Sequence, residues 1–323
     1  MKAIVQDRYG STDVLRLNDI AKPVPGDGEV LVRVRAAGVD PGVWHLMTGL
    51  PYALRVMGYG VRVPKVRVRG RDVAGSVEAV GRNVTRFKPG DEVFGTCEGS
   101  FAEYVCARED RLALKPVNLT FEQAAAVPIS AVSALQGLRD AGQIQRGHKV
   151  LVIGAAGGVG AFAVQLAKMF GADVTGVCST SKLELVRSLG ADEVIDYTRE
   201  DFVDGVRHFD LVLDTAGNRS LSHLRRALTP KGTLVIVGGE GGGRWFGGTD
   251  RVLRALLLAP FVSQRLRGLV STERAEDFQL LREIIESGEV APVIDRTYPL
   301  HEAGEAIQYV HKGHTCGKVV VTV

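Results

Sequence analysis

The stretch Lys149-Val150-Leu151-Val152-Ile153-Gly154-Ala155-Ala156-Gly157-Gly158-Val159-Gly160, running on into Ala161-Phe162-Ala163-Val164-Gln165-Leu166-Ala167, decides the fold. A short, unbroken apolar run is a strand hidden on both faces, as in a parallel sheet. The glycines after it make a tight turn, and an amphipathic helix leaves that turn. Glycines there let the backbone approach a pyrophosphate, whose charge then sits on the helix N-terminus. The residues fit G-x-G-x-x-G with Ala155 in the first glycine position, then Gly157 and Gly160. Backbone amides of Gly157, Gly158 and Val159 are the expected cradle. Any tight strand-to-helix turn satisfies the same short pattern, so the flanking sequence must decide.

A second strand, Asp173-Val174-Thr175-Gly176-Val177-Cys178, arrives where a dinucleotide-binding unit needs it. An acid about twenty positions after the turn normally holds the ribose 2'-hydroxyl of NAD. Here the strand ends in Ser179-Thr180-Ser181-Lys182, and the nearest acid in the sequence, Glu184, falls one turn into the next helix. A carboxylate would repel a 2'-phosphate, whereas hydroxyls and an ammonium bind it. Ser179 and Lys182 therefore point to NADP(H) over NAD(H). Ser179 also reads as a helix N-cap, which is compatible with that role.

The chain has 323 residues, too many for one small core and suited to two domains. Hydrophobic residues at 45% and charged residues at 24% are ordinary for a soluble globular protein. A net charge of +3 gives no argument for nucleic acid or a membrane. Met1-Lys2-Ala3-Ile4-Val5 reads as a first strand rather than a signal peptide, and Ala255 to Val262 is too short to span a bilayer. Cys97, Cys106, Cys178 and Cys316 are scattered without a C-x-x-C pair, which suggests reduced thiols in a cytoplasmic protein.

The N-terminal third is β-rich. Glu29 to Arg35 alternates like a half-buried strand, Val73 to Gly81 is a strand ending in a turn, and Lys88-Pro89-Gly90 feeds another. From Phe121 the period changes. Helices over 121–127 and 130–141 precede the glycine turn. Strands over 194–196, 211–214 and 234–237 then alternate with helices over 182–189 and 221–228. That alternation predicts an α/β, doubly wound parallel sheet joined to a small barrel-like β domain. Gly238 to Gly243 is expected to be a flexible loop beside the ligand crevice. Helices over 276–287 and 302–311 and a strand over 317–323 return to the style of the first part. No internal repeat is present.

Together these stretches resemble the medium-chain dehydrogenase/reductases, and within them the zinc-independent, zeta-crystallin-like quinone oxidoreductases. The likeness runs along nearly the whole chain. It is carried by Ala36-Ala37-Gly38-Val39-Asp40-Pro41, Gly70-Arg71-Asp72-Val73-Ala74-Gly75, Val93-Phe94-Gly95, Gly99-Ser100-Phe101-Ala102-Glu103-Tyr104, the glycine turn, and Gly317-Lys318-Val319-Val320. The resemblance implies a GroES-like catalytic domain over 1–121 and 268–323, with a Rossmann domain over 122–267 inserted in it. It also implies a homodimer joined through Rossmann sheet edges, with Leu253 to Val262 either in that interface or in a buried helix.

Zinc alcohol dehydrogenases of this superfamily hold their catalytic ion with Cys, His and Cys. Motif placement puts Asp40, Arg71 and Ile129 at those positions, and no Cys or His lies between Ala124 and Gly147. Arginine stays protonated and isoleucine has no lone pair. The structural zinc lobe has only Cys97 and Cys106 in its region. The expectation is no metal, and hydride transfer to quinones or α,β-unsaturated carbonyls, which need only hydrogen-bond donors and a proton.

The resemblance lines the substrate cleft with the segment Asp40 to Tyr52. Tyr52 offers a phenol donor or serves structure alone. Asp40 holds a ribose hydroxyl or a water. Trp44 and Arg71 stand in the substrate cleft, Trp44 as an apolar wall, and the alternative for Arg71 is a simple pair with Asp72. On the cofactor side it places Ser133 near the nicotinamide end, Tyr197 beside adenine, and Gly238 and Lys318 toward the nicotinamide. The rival to Lys318 in that role is a solvated lysine. The basic run from Arg62 to Arg71 lacks the interleaved aromatics of a nucleic-acid site and reads as a solvated loop by the substrate mouth. The rival functions are a non-catalytic NADPH-binding protein (sensor, structural or RNA-associated) and a zinc alcohol dehydrogenase.

Overall fold

A computed structural model describes residues 1–239 and 243–323, which divide into two compact units. The first comprises 1–132 and 273–323, the second 133–272. Part of the expected glycine loop, Glu240 to Gly242, lies outside the described residues.

In the first unit, strand Glu29–Val39 continues four residues beyond the alternating stretch because Ala36, Ala37 and Val39 are buried against the last strand of the chain. The sheet order is Ile294–Pro299, Lys318–Thr322, Glu29–Val39, Asp72–Val80, Glu92–Thr96 and Leu112–Leu114, with Tyr104–Arg108 also paired to Glu29–Val39. Val32 and Val34 point inward with Val73, Val77 and Val93, while Arg33 and Arg35 face out, the period-two pattern of a one-sided sheet. Lys2–Val5 and Arg16–Asp19 form a separate antiparallel pair.

Helix Pro41–Thr48 begins where Asp40 accepts the Gly42 N–H at 2.8 Å and ends at Gly49, whose φ of 64° suits a residue without Cβ. It packs on helix Ala303–His311. Helix Phe121–Ala125 is closed by a capping box between Thr120 and Gln123 and packs on Glu29–Val39 and Asp72–Val80. The next helix starts at Pro128, a good first-turn residue, and gives way to a wider π-type turn over 137–141.

The second unit is a six-stranded parallel sheet ordered Glu193–Asp196, Asp173–Cys178, Lys149–Ile153, Phe209–Asp214, Leu228–Ile236 and Arg265–Gly268. From Lys149–Ile153 the chain winds first to one side, then returns to continue from Phe209–Asp214 on the other. The reversal between those two strands is the switch point where doubly wound sheets bind ligands, outside the strand C-termini. Leu151, Ile153, Val212, Leu234 and Ile236 are buried in one cluster there.

Candidate active site

At the switch point the Thr215 hydroxyl donates to the Ile153 carbonyl at 2.7 Å, tying the two central strand ends together. Gly154, directly after the strand, takes a φ of 82°. It does the turning that the motif assigns to its first glycine, while Ala155 is buried with its Cβ against Gly176. A Cβ on Gly160 would stand 2.1 Å from the Gly154 carbonyl, so only glycine lets helix Gly158–Met169 sit this close to the strand. Gly157 is the N-cap and has no side chain to fill the mouth of the helix. The first N–H groups of that helix, at Gly158 and Val159, have no intrahelical acceptor and point out of its positive end. This geometry fits an anionic dinucleotide.

Strand Asp173–Cys178 delivers Ser179, whose side chain makes no capping bond to the short helical turn it precedes. The N-cap role expected beside phosphate binding is therefore not in use. Half-buried Lys182 closes that turn. Asp196, farther along the sequence than Glu184, is brought beside this turn as the register partner of Cys178 in the neighbouring strand. Thr180 Oγ1 donates to Asp196 at 2.5 Å and Thr198 Oγ1 at 2.7 Å. These hydroxyl bonds hold the Asp196 carboxyl below the usual carboxylate range. Glu184 is exposed and paired with Arg187. Tyr197, next to Asp196, leaves its ring about half exposed. Buried Ser133 shares a hydroxyl contact of 3.3 Å with Ser271.

Gly238 lies under the same edge, and a Cβ there would meet the Thr215 carbonyl at 2.2 Å. Behind it, fully buried Asp214 accepts from Arg251 Nη2 at 2.6 Å and from the Gly217 N–H at 3.0 Å. Arg251 also donates to the Arg219 carbonyl at 2.9 Å and the Gly238 carbonyl at 3.3 Å. This bracket fixes the loop that holds Gly238. Sequence reading passed over it, although an acid closing the buried run Leu211-Val212-Leu213-Asp214 was the available signal.

The first unit presents a different kind of edge. Asp40 uses Oδ1 to cap its helix, and Oδ2 is buried with no hydrogen-bond partner among the described residues. Arg71 pairs with Glu273 at 2.5 Å, and Glu273 also takes a bond from Arg111. Burial alone would lower the Arg71 pKa, but the charges of Glu273, Asp40, Tyr59 and Asp72 outweigh it and raise the pKa. The alternative Arg71–Asp72 pair does not form. Asp72 instead accepts from Lys318 Nζ at 2.8 Å and from the Ile129 N–H at 2.9 Å. Successive residues entering a strand point to opposite faces, so sequence neighbours separate.

Burial pushes the Asp72 carboxyl up, and the Lys318 ammonium opposes that shift. Lys318 is 3% exposed, so it is not a solvated lysine, and its ammonium is committed to Asp72. Trp44 stacks on His311 with centroids 3.7 Å apart, in the contact between helices Pro41–Thr48 and Ala303–His311. The Tyr52 ring lies under the Arg55 guanidinium at 4.9 Å, and Arg55 donates to the Gly49 carbonyl at 2.8 Å. His45 Nδ1 meets the Leu50 carbonyl at 2.9 Å, a turn contact.

At the positions that motif placement assigned to zinc ligands stand the Asp40 carboxylate, the ion-paired Arg71 guanidinium and the Ile129 alkyl side chain. Among the described residues no group of three or more His, Cys, Asp or Glu could hold a metal ion.

Residues 26–117 match the family model described as alcohol dehydrogenase GroES-like domain, and residues 189–321 match that described as zinc-binding dehydrogenase. The chain is 37% identical to the 2-methylene-furan-3-one reductase of Solanum lycopersicum, over 99% of this chain and 79% of the relative. It belongs to the medium-chain dehydrogenase/reductases. Within that superfamily its relatives include quinone and enone oxidoreductases. One is the NADPH-dependent alkenal/one oxidoreductase, chloroplastic, of Arabidopsis thaliana, 36% identical over 99% of this chain and 79% of that one. The solved quinone oxidoreductase from Coxiella burnetii superposes with a TM-score of 0.88 at 30% identity, covering 100% of this chain and 99% of that one. This medium-chain oxidoreductase therefore combines the family's two folds with a first unit in which Arg71 and Arg111 are paired with Glu273, and Lys318 with Asp72.

Proposed function

We propose that this oxidoreductase reduces quinones or α,β-unsaturated carbonyls with NADPH and without a catalytic metal. The donor set carries the reading: Asp40, Glu273-bound Arg71 and apolar Ile129 cannot hold a Lewis-acidic ion, so the acceptor must be one that takes hydride readily. A bound reduced nicotinamide dinucleotide supplies that hydride. Gly157, Gly158 and Val159 hold its phosphates with backbone amides. Ser179 and Lys182 take the 2'-phosphate, and Tyr197 offers a ring face for adenine. Ser133 and Gly238 line the nicotinamide side. Asp40 Oδ2 accepts from a ribose hydroxyl or an ordered water. Arg71 keeps its charge and stabilises negative charge developing on the acceptor oxygen. Tyr52 is the candidate hydrogen-bond donor in the same unit, and the proton comes from solvent.

The reading extends to a homodimer. Helix Thr249–Leu258 buries Ala255 but exposes Leu253, Leu256 and Leu257, with Phe261 beyond it. It packs next to Arg265–Gly268, the edge strand of the parallel sheet. An open strand edge beside an apolar helix suits a second copy of the same chain. The four cysteine thiols fit a reducing compartment such as the cytoplasm.

The test follows nicotinamide absorbance in chelator-treated protein with a panel of quinones and enones, NADPH beside NADH. The expected result is NADPH consumption that survives chelation, with NADH much slower. Tight NADPH binding without turnover of any acceptor would reject the reductase reading and leave a cofactor-binding protein. Activity restored by stoichiometric zinc would reject the metal-free one.

A further inference from the structure

We propose that the segment Arg55–Arg67 of the first unit is a docking surface for anionic membranes. Its helical turn exposes Val56 at 80% and Met57 at 74%, and the loop that follows exposes Val61 at 67% and Val63 at 56%. Isolated exposed aliphatics are ordinary, but four within eight residues of one segment are a concentration that single surface residues do not explain. The loop holding them is built. The Lys65 N–H donates to the Tyr59 carbonyl at 2.9 Å and closes it into a ring. The Tyr9 hydroxyl pins the base through the Tyr59 and Gly60 carbonyls at 2.9 and 2.6 Å. Gly60, with a φ of 107° and a site where a Cβ would stand 2.1 Å from the Val63 carbonyl, makes the turn possible. Aliphatic tips are thus presented to water from a fixed base, which lowers the ordering cost of inserting them elsewhere.

Charge identifies the partner. Between residues 41 and 71 the chain has six Arg or Lys and no Asp or Glu, and the flanking acids Asp40 and Asp72 are buried. Arg71 is held by Glu273, Arg67 by Asp7, Arg55 by backbone carbonyls, and Arg69 lies inside. Arg62 and Lys65 stand exposed beside the apolar tips with no acidic partner among the described residues. Aliphatic tips interspersed with unpaired cations match an interfacial binder: the tips enter the headgroup boundary while the cations meet anionic lipids. The whole-chain charge of +3 gave no reason to expect a membrane, because it averages this basic segment with the rest of the chain. The helix Thr249–Leu258 patch differs, since its exposed Arg254 is paired with Asp250.

Full-length protein should co-sediment with phosphatidylcholine vesicles containing about 30% phosphatidylglycerol and release as salt screens the surface. Pure phosphatidylcholine vesicles should bind it far less. At about fivefold per cation, Arg62→Glu with Lys65→Glu should weaken partitioning about 25-fold or more. Val56→Asp with Met57→Asp should also abolish it, and thermal melting checks that each variant is folded. Val206→Asp, at an exposed aliphatic of the second unit outside both patches, should leave vesicle binding unchanged.

Absence of binding to anionic vesicles overturns the proposal, as does binding that both double variants retain. Self-association lost in Val56→Asp with Met57→Asp, without vesicle binding, would instead make the face a contact between copies. The assay uses no cofactor or acceptor, so it stands or falls apart from the proposed reaction.

Discussion

The two units meet the demands of a ligand in opposite ways. The second offers backbone: amides at the mouth of helix Gly158–Met169, with Gly154, Gly160 and Gly238 clearing room for it. The first offers side chains, nearly all already bound: Asp72 to Lys318, Arg71 and Arg111 to Glu273, and Arg55 to the Gly49 carbonyl. Asp40 Oδ2 is the buried exception among the cleft candidates. A backbone site is damaged by adding atoms and a paired-charge site by removing them.

That contrast can be broken most forcefully at Lys318. Lys318→Met strands the Asp72 carboxylate in a fully buried place and should cost about 3–5 kcal/mol in urea unfolding. Adding Asp72→Asn keeps an acceptor for the Ile129 N–H and should restore most of the loss. If the single variant is as stable as the parent, the first unit does not depend on its charge pairs. In the second unit, Gly160→Ala should cost about 1–3 kcal/mol and also reduce NADPH binding, because the new methyl displaces the Gly154 carbonyl from the turn. Calorimetric titration beside a melting curve separates the two losses, and unchanged binding would show that the turn tolerates what the geometry forbids.

A finer comparison concerns the cofactor phosphate. Ser179→Ala with Lys182→Ala should raise the KM for NADPH at least tenfold, about 1.5–3 kcal/mol for charged hydrogen bonds, and leave that for NADH nearly unchanged. Equal effects on both cofactors would place the 2'-phosphate elsewhere. The smallest effect is expected at Asp196. The Thr180 bond, then those from Thr198, hold its folded pKa below the ordinary value. Its contribution is complete above about pH 4 and fades as pH falls through the folded pKa, so urea midpoints should drop on acidification and drop less in Asp196→Asn.

What could be read in the sequence follows the same division. Backbone work selects residue types, so the glycine turn, the buried strands and the alternation of Val32 and Val34 with Arg33 and Arg35 announce themselves locally. Charge pairing leaves no local mark: Arg71 and Glu273 are 202 positions apart, and Asp72 and Lys318 are 246 apart. Adjacency misled at Arg71 and Asp72, and distance along the chain hid Asp196 behind Glu184. The Trp44 stack on His311 depended on two helices from opposite ends of the chain.

The first sheet is completed by the final strand, Lys318–Thr322, which lies against Ala36 to Val39. During synthesis, residues 133–272 emerge as one continuous piece and can close their own sheet while the earlier strands still lack an edge partner. The unit that begins earlier in the chain is therefore the later of the two to finish folding. Until residues 318–322 have left the ribosome, Ala37 and Val39 remain an unprotected apolar edge, the kind of surface that nascent-chain chaperones cover.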